Sequence, residues 1–145
     1  MAQALNTMTP RDAAAIITAA ADPDWTRQFV DELDRAVRTE PLERFVELWG
    51  LSNSAAAAVF GVSRQAFSKW LKTGVPPGRA DTTADLAAAT DLLDRYVKRE
   101  RIPAVVRRAA PMLEDRSLLD LAGSGETRRV AEAVEQMFDL RQIQP

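Results

Sequence analysis

The sequence contains no cysteine and no histidine, and these absences remove whole classes of chemistry. Without cysteine there is no disulfide and no thiolate nucleophile; without histidine there is no imidazole base, and the commonest zinc ligands are gone. No metal, no cofactor and no catalytic activity is expected. No window approaches the roughly 18 apolar residues that a membrane helix requires, and Met1 to Arg11 lacks the basic segment and apolar core of an export signal. A cytoplasmic protein without a membrane partner is the expectation. Alternating apolar and polar residues are also missing, and β-branched runs are short, so the chain reads as all-α.

The charge is nearly balanced, at a formal −2 over 145 residues, which by itself does not mark a nucleic-acid binder. Its distribution is more telling. Residues 1–40 carry four Arg against seven Asp and Glu, residues 41–80 carry five Arg and Lys against two Glu, and residues 81–145 carry ten against twelve. The only positive stretch is the middle one.

Helical periodicity organises the chain. A first helix is expected from Pro10 to Ala21, with Pro10 in its first turn and Asp12 near its positive end, stopped by Asp22-Pro23-Asp24. A second, Asp24 to Arg38, places Trp25, Phe29, Leu33 and Val37 on one apolar stripe, and a third, from Pro41, carries Leu42, Phe45, Val46 and Trp49 before Gly50 ends it. The prolines and glycines of Thr73 to Ala80 cannot continue a helix and mark a domain edge or bend. The expected division is thus 1–80, N-terminal helices plus a motif at 51–72, and 81–145, a small C-terminal helical domain. In the latter, a helix capped by Asp81 or Thr82 turns Leu86, Leu93 and Val97 inward, and a shorter helix spans Ala104 to Ala110. A final pair of helices flanks Gly123-Ser124-Gly125, with Val130, Val134 and Met137 on one face.

The stretch Leu51 to Lys72 carries the most specific pattern. Ala57 is small enough to let a second helix cross closely, Gly61 supplies the freedom of a tight turn, and Val62 plugs the gap beneath it. Ser63 stands where a helix starting at Arg64 needs a cap. Phe60, Phe67 and Trp70 lock the pair inward, leaving Arg64, Gln65, Ser68, Lys69 and Lys72 outward. Arg forks onto guanine, Gln onto adenine, and Lys reaches guanine or phosphate.

Gly61-Val-Ser-Arg-Gln-Ala-Phe-Ser-Lys-Trp-Leu71 closely resembles the turn and recognition helix of the Xre/Cro-type helix-turn-helix regulators. Leu86 to Phe138, with Leu118-Leu119, Gly125 and Val130, resembles the C-terminal portion of the Xre/MbcA/ParS-like antitoxins. The first resemblance implies a sequence-specific regulator, a repressor or autoregulating antitoxin, that inserts the 64–72 helix into the major groove of double-stranded DNA. Ser63, Arg64, Gln65, Ser68, Lys69 and Lys72 are its candidate contacts, with Arg44 and Arg79 as candidate phosphate contacts. The second implies a toxin or second subunit bound through the C-terminal helices. A module that neutralises a toxin and keeps the motif only as scaffold is the alternative.

Other features read as structure. The carboxylates Asp31, Glu32 and Asp34 belong to a solvated face, Gly123 to Gly125 to a turn, and Trp25, Trp49 and Trp70 to apolar stripes, hence to core. The cluster Arg95, Lys98, Arg99, Arg101, Arg107 and Arg108 reads as a solvated face or a second phosphate grip. The apolar residues of Ser117 to Pro145 outnumber what a two-helix unit hides alone, which suggests that this tail binds a protein.

Overall fold

A computed structural model of the chain describes residues 7–142, with side chains to Asp139. It is all-α: helices α1 (Pro10–Ala20), α2 (Pro23–Trp49), α3 (Asn53–Phe60), α4 (Arg64–Thr73), α5 (Ala80–Tyr96), α6 (Ile102–Arg107), α7 (Leu118–Gly123) and α8 (Thr127–Gln142) are joined by turns, three of them short 3₁₀ segments. Among the described residues there is no strand, and no helix is long and apolar enough to cross a membrane. Backbone contacts separate two units, Met1–Ala36 and Val37–Pro145.

In the first unit, Thr9 Oγ1 accepts the Asp12 N–H at 3.1 Å and Pro10 opens α1. Asp22 Oδ1 accepts the Trp25 N–H at 2.9 Å to start α2. Two expectations fail here. The second and third helices are one, because Pro41 lies inside α2. The bond that Pro41 cannot donate would have gone to the carbonyl of Val37, a residue 62% exposed, where water can take its place. The stripe Trp25, Phe29, Leu33 and Val37 is exposed, so Trp25 is not a core residue. Periodicity names the residues that share a face; it does not say whether anything lies opposite.

The second unit holds the core. Leu42, Phe45 and Trp49 of α2 meet Ala56, Ala57 and Phe60 of α3, Phe67 and Trp70 of α4, Leu86 and Leu93 of α5, and Ile102 and Val106 of α6. Trp49 is fully buried. Its ring packs edgewise on Phe45, with centroids 4.8 Å apart, and its indole N–H donates to Thr90 Oγ1 at 3.0 Å. The Thr90 hydroxyl donates in turn to the Leu86 carbonyl at 2.7 Å. Among the described residues no buried side-chain polar atom lacks a partner, as burial at this depth requires.

Thr73 to Ala80 forms the expected bend, with a 3₁₀ turn at Pro77–Arg79. Helix α5 starts at Ala80, without a side-chain cap from Asp81 or Thr82. The short helix is Ile102–Arg107, not Ala104 to Ala110, because Pro103 sits in its first turn, where a missing N–H costs nothing. Ser117 and Asp120 form a reciprocal capping box on α7. The premise of the tail expectation also needs correction. Leu118, Leu121, Val130, Val134 and Phe138 are all buried, for α8 lies along α5 in the largest helix contact of the molecule. These five residues complete this chain's own core.

Ionic ties secure the periphery. Arg99 and Arg44 both bind Asp94, and the Arg99 bonds above all hold its carboxyl below the usual carboxylate range. Arg116 and Arg129 do the same to Glu126, with Arg116 the stronger influence. The Ser117 backbone N–H, then its hydroxyl, lowers Asp120. Each group prefers its charged form more when folded than when unfolded, so its contribution is complete above the unfolded pKa of about 4 and disappears as pH falls through the lower folded value. The melting temperature should therefore stay level between about pH 8 and 5 and fall below about pH 4. Asp120→Asn should flatten that fall; an unchanged acid limb in the variant would contradict the assignment.

Candidate nucleic-acid interface

Helices α3 and α4 are shaped by local sequence. Ser52 Oγ caps α3 by accepting the Ala55 N–H at 3.1 Å. Gly61 ends α3 at φ +65°, a left-handed conformation that L side chains resist, and the Val62 N–H then closes back on the Ala57 carbonyl at 3.0 Å. Ser63 Oγ accepts the Ala66 N–H at 3.1 Å and begins α4. Ala57 is buried and Val62 half-buried in the crossing. Phe60 contacts Phe67, Trp70 and Phe45 with ring centroids 5.8, 5.6 and 6.2 Å apart, so aromatic packing fixes the pair against α2.

The opposite face of α4 is free. Arg64, Gln65, Lys69 and Lys72 are exposed and Ser68 is half-buried; with Thr73 they line one shallow open surface. Thr73, one residue past the motif, joins it too. Its hydroxyl donates to the Lys69 carbonyl at 2.9 Å, which keeps it on the same face. Ser63 is exposed beside them, its oxygen engaged as the cap. No acidic residue occurs between Glu47 and Asp81, and Arg64, Lys69 and Lys72 make no ion pair among the described residues. Their charge is unneutralised.

Arg44 and Arg79 do not join this surface. Arg44 is bound to Asp91 and Asp94 of α5, so its charge is already compensated. Arg79 donates to the Phe60 carbonyl at 2.9 Å and lies over the Trp70 ring, 6.0 Å from its centroid. Its role is to tie the bend to the end of α3.

The basic cluster of 95–108 divides. Arg99 belongs to Asp94, and Arg107 donates to the carbonyls of Trp49, Gly50 and Pro103 at 2.8 to 3.0 Å, closing the C-terminal end of α2. Lys98, Arg101 and Arg108, without ion pairs among the described residues, border a groove of about 520 Å³ floored by Val105, Leu113, Met137 and Phe138. Tyr96 stacks on Phe138 at its edge, at 4.7 Å, and Met112 is more than half exposed there. No group of three or more acidic residues able to hold a metal occurs among the described residues.

No protein-family model matches the chain, and no curated protein matches it. Among solved structures, a chain from the crystal structure of the M. tuberculosis MbcT-MbcA toxin-antitoxin complex is similar, with 23% identity and a TM-score of 0.56. The match covers 68% of this chain and 91% of that one. At this level of identity, the similarity shows a shared all-α fold.

Proposed function

We propose that α3 and α4 form a helix-turn-helix and that the protein is a sequence-specific DNA-binding regulator of the antitoxin or repressor kind. The observation that carries this reading is the unneutralised polar face of α4, presented by a helix whose other face is locked in the core. An α-helix fits the major groove, and the residues in and just beyond its first turn reach base edges. Arg64 and Gln65 occupy that turn. Ser68 and Lys69 flank it, and Lys72 reaches the backbone.

Selection of bound duplexes from a random pool, followed by a salt titration on the enriched site, tests the proposal. With Arg44 ion-paired, the recognition helix itself supplies three cations, Arg64, Lys69 and Lys72, so each helix should contribute about −2 to −3 to the slope of log affinity against log salt. A slope near zero, or a pool in which nothing is enriched, would count against DNA as ligand.

A second reading has its own observation. The apolar groove rimmed by Lys98, Arg101 and Arg108 suits an acidic amphipathic segment of a partner protein. The fold shared with a chain of a toxin-antitoxin complex supports a toxin as that partner. Antitoxin reading and DNA reading are compatible, since groove and α4 face involve different residues.

A further inference from the structure

The groove beside α6 gathers charges that the rest of its unit has compensated. Among residues 81–139, Arg99, Arg116, Arg128 and Arg129 are ion-paired, and Arg107 is held by carbonyls. Arg95, Lys98, Arg101 and Arg108 make no ion pair among the described residues, and all but Arg95 line this groove. No described Asp or Glu lines it. Lys98, Arg101, Val105 and Arg108 follow one another at steps of three, four and three residues. The 3₁₀ turn Arg99–Arg101 and α6 therefore bring three cations and one apolar side chain to the same side.

The facing wall is apolar. Tyr96 stacked on Phe138 gives it a flat aromatic part, and Met112 and Met137 add unbranched side chains that adapt to what they cover. Met112 stands on a defined turn. The Ala110 N–H donates to the Arg116 carbonyl at 3.1 Å and the Asp115 N–H to the Ala110 carbonyl at 3.0 Å. Glu114 and Asp115 hold φ of 59° and 61° there, a left-handed conformation that L side chains resist.

A volume of about 520 Å³ lies inside the roughly 300–1,000 Å³ of small-molecule sites, and apolar walls with a few converging polar groups are their usual make-up. A partner helix spreads its anchors over two turns or more, whereas one concave space rimmed by cations receives a whole small molecule. Uncompensated positive charge over an apolar wall selects the sign of that molecule's head group.

We infer that this groove is a binding site for a small amphipathic organic anion, a carboxylate or phosphate carried on an apolar body. The body lies on Val105, Met137 and Phe138, and the head group is met by Lys98, Arg101 and Arg108. The inference goes beyond the partner reading and does not rest on it. An anion bound here covers the residues that reading gives to an acidic segment, so the two occupants exclude each other.

Calorimetric titration of the full chain with decanoate, decyl phosphate, decanol and acetate separates body from head group. The tighter of the two amphipathic anions, which names the head group, should bind one to one and about tenfold or more tighter than decanol, as charge-assisted bonds require. Acetate should not bind measurably. Arg101→Gln/Arg108→Gln should bring the anion down to the affinity of decanol and leave decanol unchanged; both side chains are exposed, so the variant should unfold with the parent. Methyl spectra of the four methionines locate the site without a substitution: Met112 and Met137 should shift on titration, and Met1 and Met8 should not. No saturable binding to the full chain would leave the groove to a partner protein or to this chain's own residues and overturn the inference. Equal affinity for anion and decanol, a double variant that binds the anion like the parent, or Met8 shifts as large as those of Met112 and Met137 would overturn it as well. None of the probes is a peptide or a nucleic acid, so these failures would leave the partner and DNA readings standing.

Discussion

Trp49→Ala is expected to remove about 3–5 kcal/mol of stability, a large share of the roughly 5–15 kcal/mol typical of a domain. Trp49 is completely buried, packs on Phe45 and donates to Thr90. Its removal opens a cavity where α2 and α5 meet and loosens the wall on which α3 and α4 rest. Urea denaturation followed by circular dichroism measures the cost. A companion variant, Thr90→Val, keeps the volume and deletes the acceptor, so the indole N–H is left buried and unpaired at a cost of about 1–3 kcal/mol. Phe67→Ala, also fully buried, belongs with Trp49→Ala in magnitude. If Trp49→Ala unfolds within 1 kcal/mol of the parent, on the order of a surface substitution, this account of the core is wrong.

The second large effect concerns binding. Arg64→Ala and Gln65→Ala should each cost about 1–3 kcal/mol on a selected site and relax preference at particular base pairs, since each removes a forked contact to one base. The double variant should lose from about thirtyfold to about twenty-thousandfold in affinity while unfolding at the same urea concentration as the parent, because both side chains are exposed. Lys72→Ala should instead weaken all sequences alike and reduce the salt slope by about one phosphate's share. A folded Arg64/Gln65 double variant that binds as tightly and as selectively as the parent would show that the reading helix has been placed wrongly.

The motif at 51–72 was legible because each device in it is local. A cap reaches three residues, a left-handed glycine governs one turn, and aromatics three and four apart share a face. Ser63, Gly61, Phe67 and Trp70 are consequently found where their neighbours alone dictate. The candidate phosphate contacts were not legible, since local charge counts cannot see partners far along the chain. Arg44 is neutralised by aspartates 47 and 50 residues away, and Arg79, still charged, is held by a carbonyl 19 residues back. The same limit applied to the basic cluster. Arg99 and Arg107 read like Lys98 and Arg108, yet the fold turns the first two onto protein acceptors and leaves the others on the rim of a groove. The exposed stripe of α2 differs: its spacing shows in the sequence, but burial depends on a surface opposite, which spacing does not report.

The pairing of α5 with α8 has a consequence for the order in which the protein comes into being. During synthesis the α3–α4 pair leaves the ribosome well before Thr127–Gln142, the segment that covers the inner face of α5. Until α8 arrives, Leu86, Ala89 and Leu93 have nothing along that side, although all three are buried in the finished core. Closing a contact across such a separation is a late event, since chain entropy must be lost before the packing repays it. A chain cut before Thr127 therefore leaves the inner face of α5 bare, and its α4 surface stands on an incomplete core.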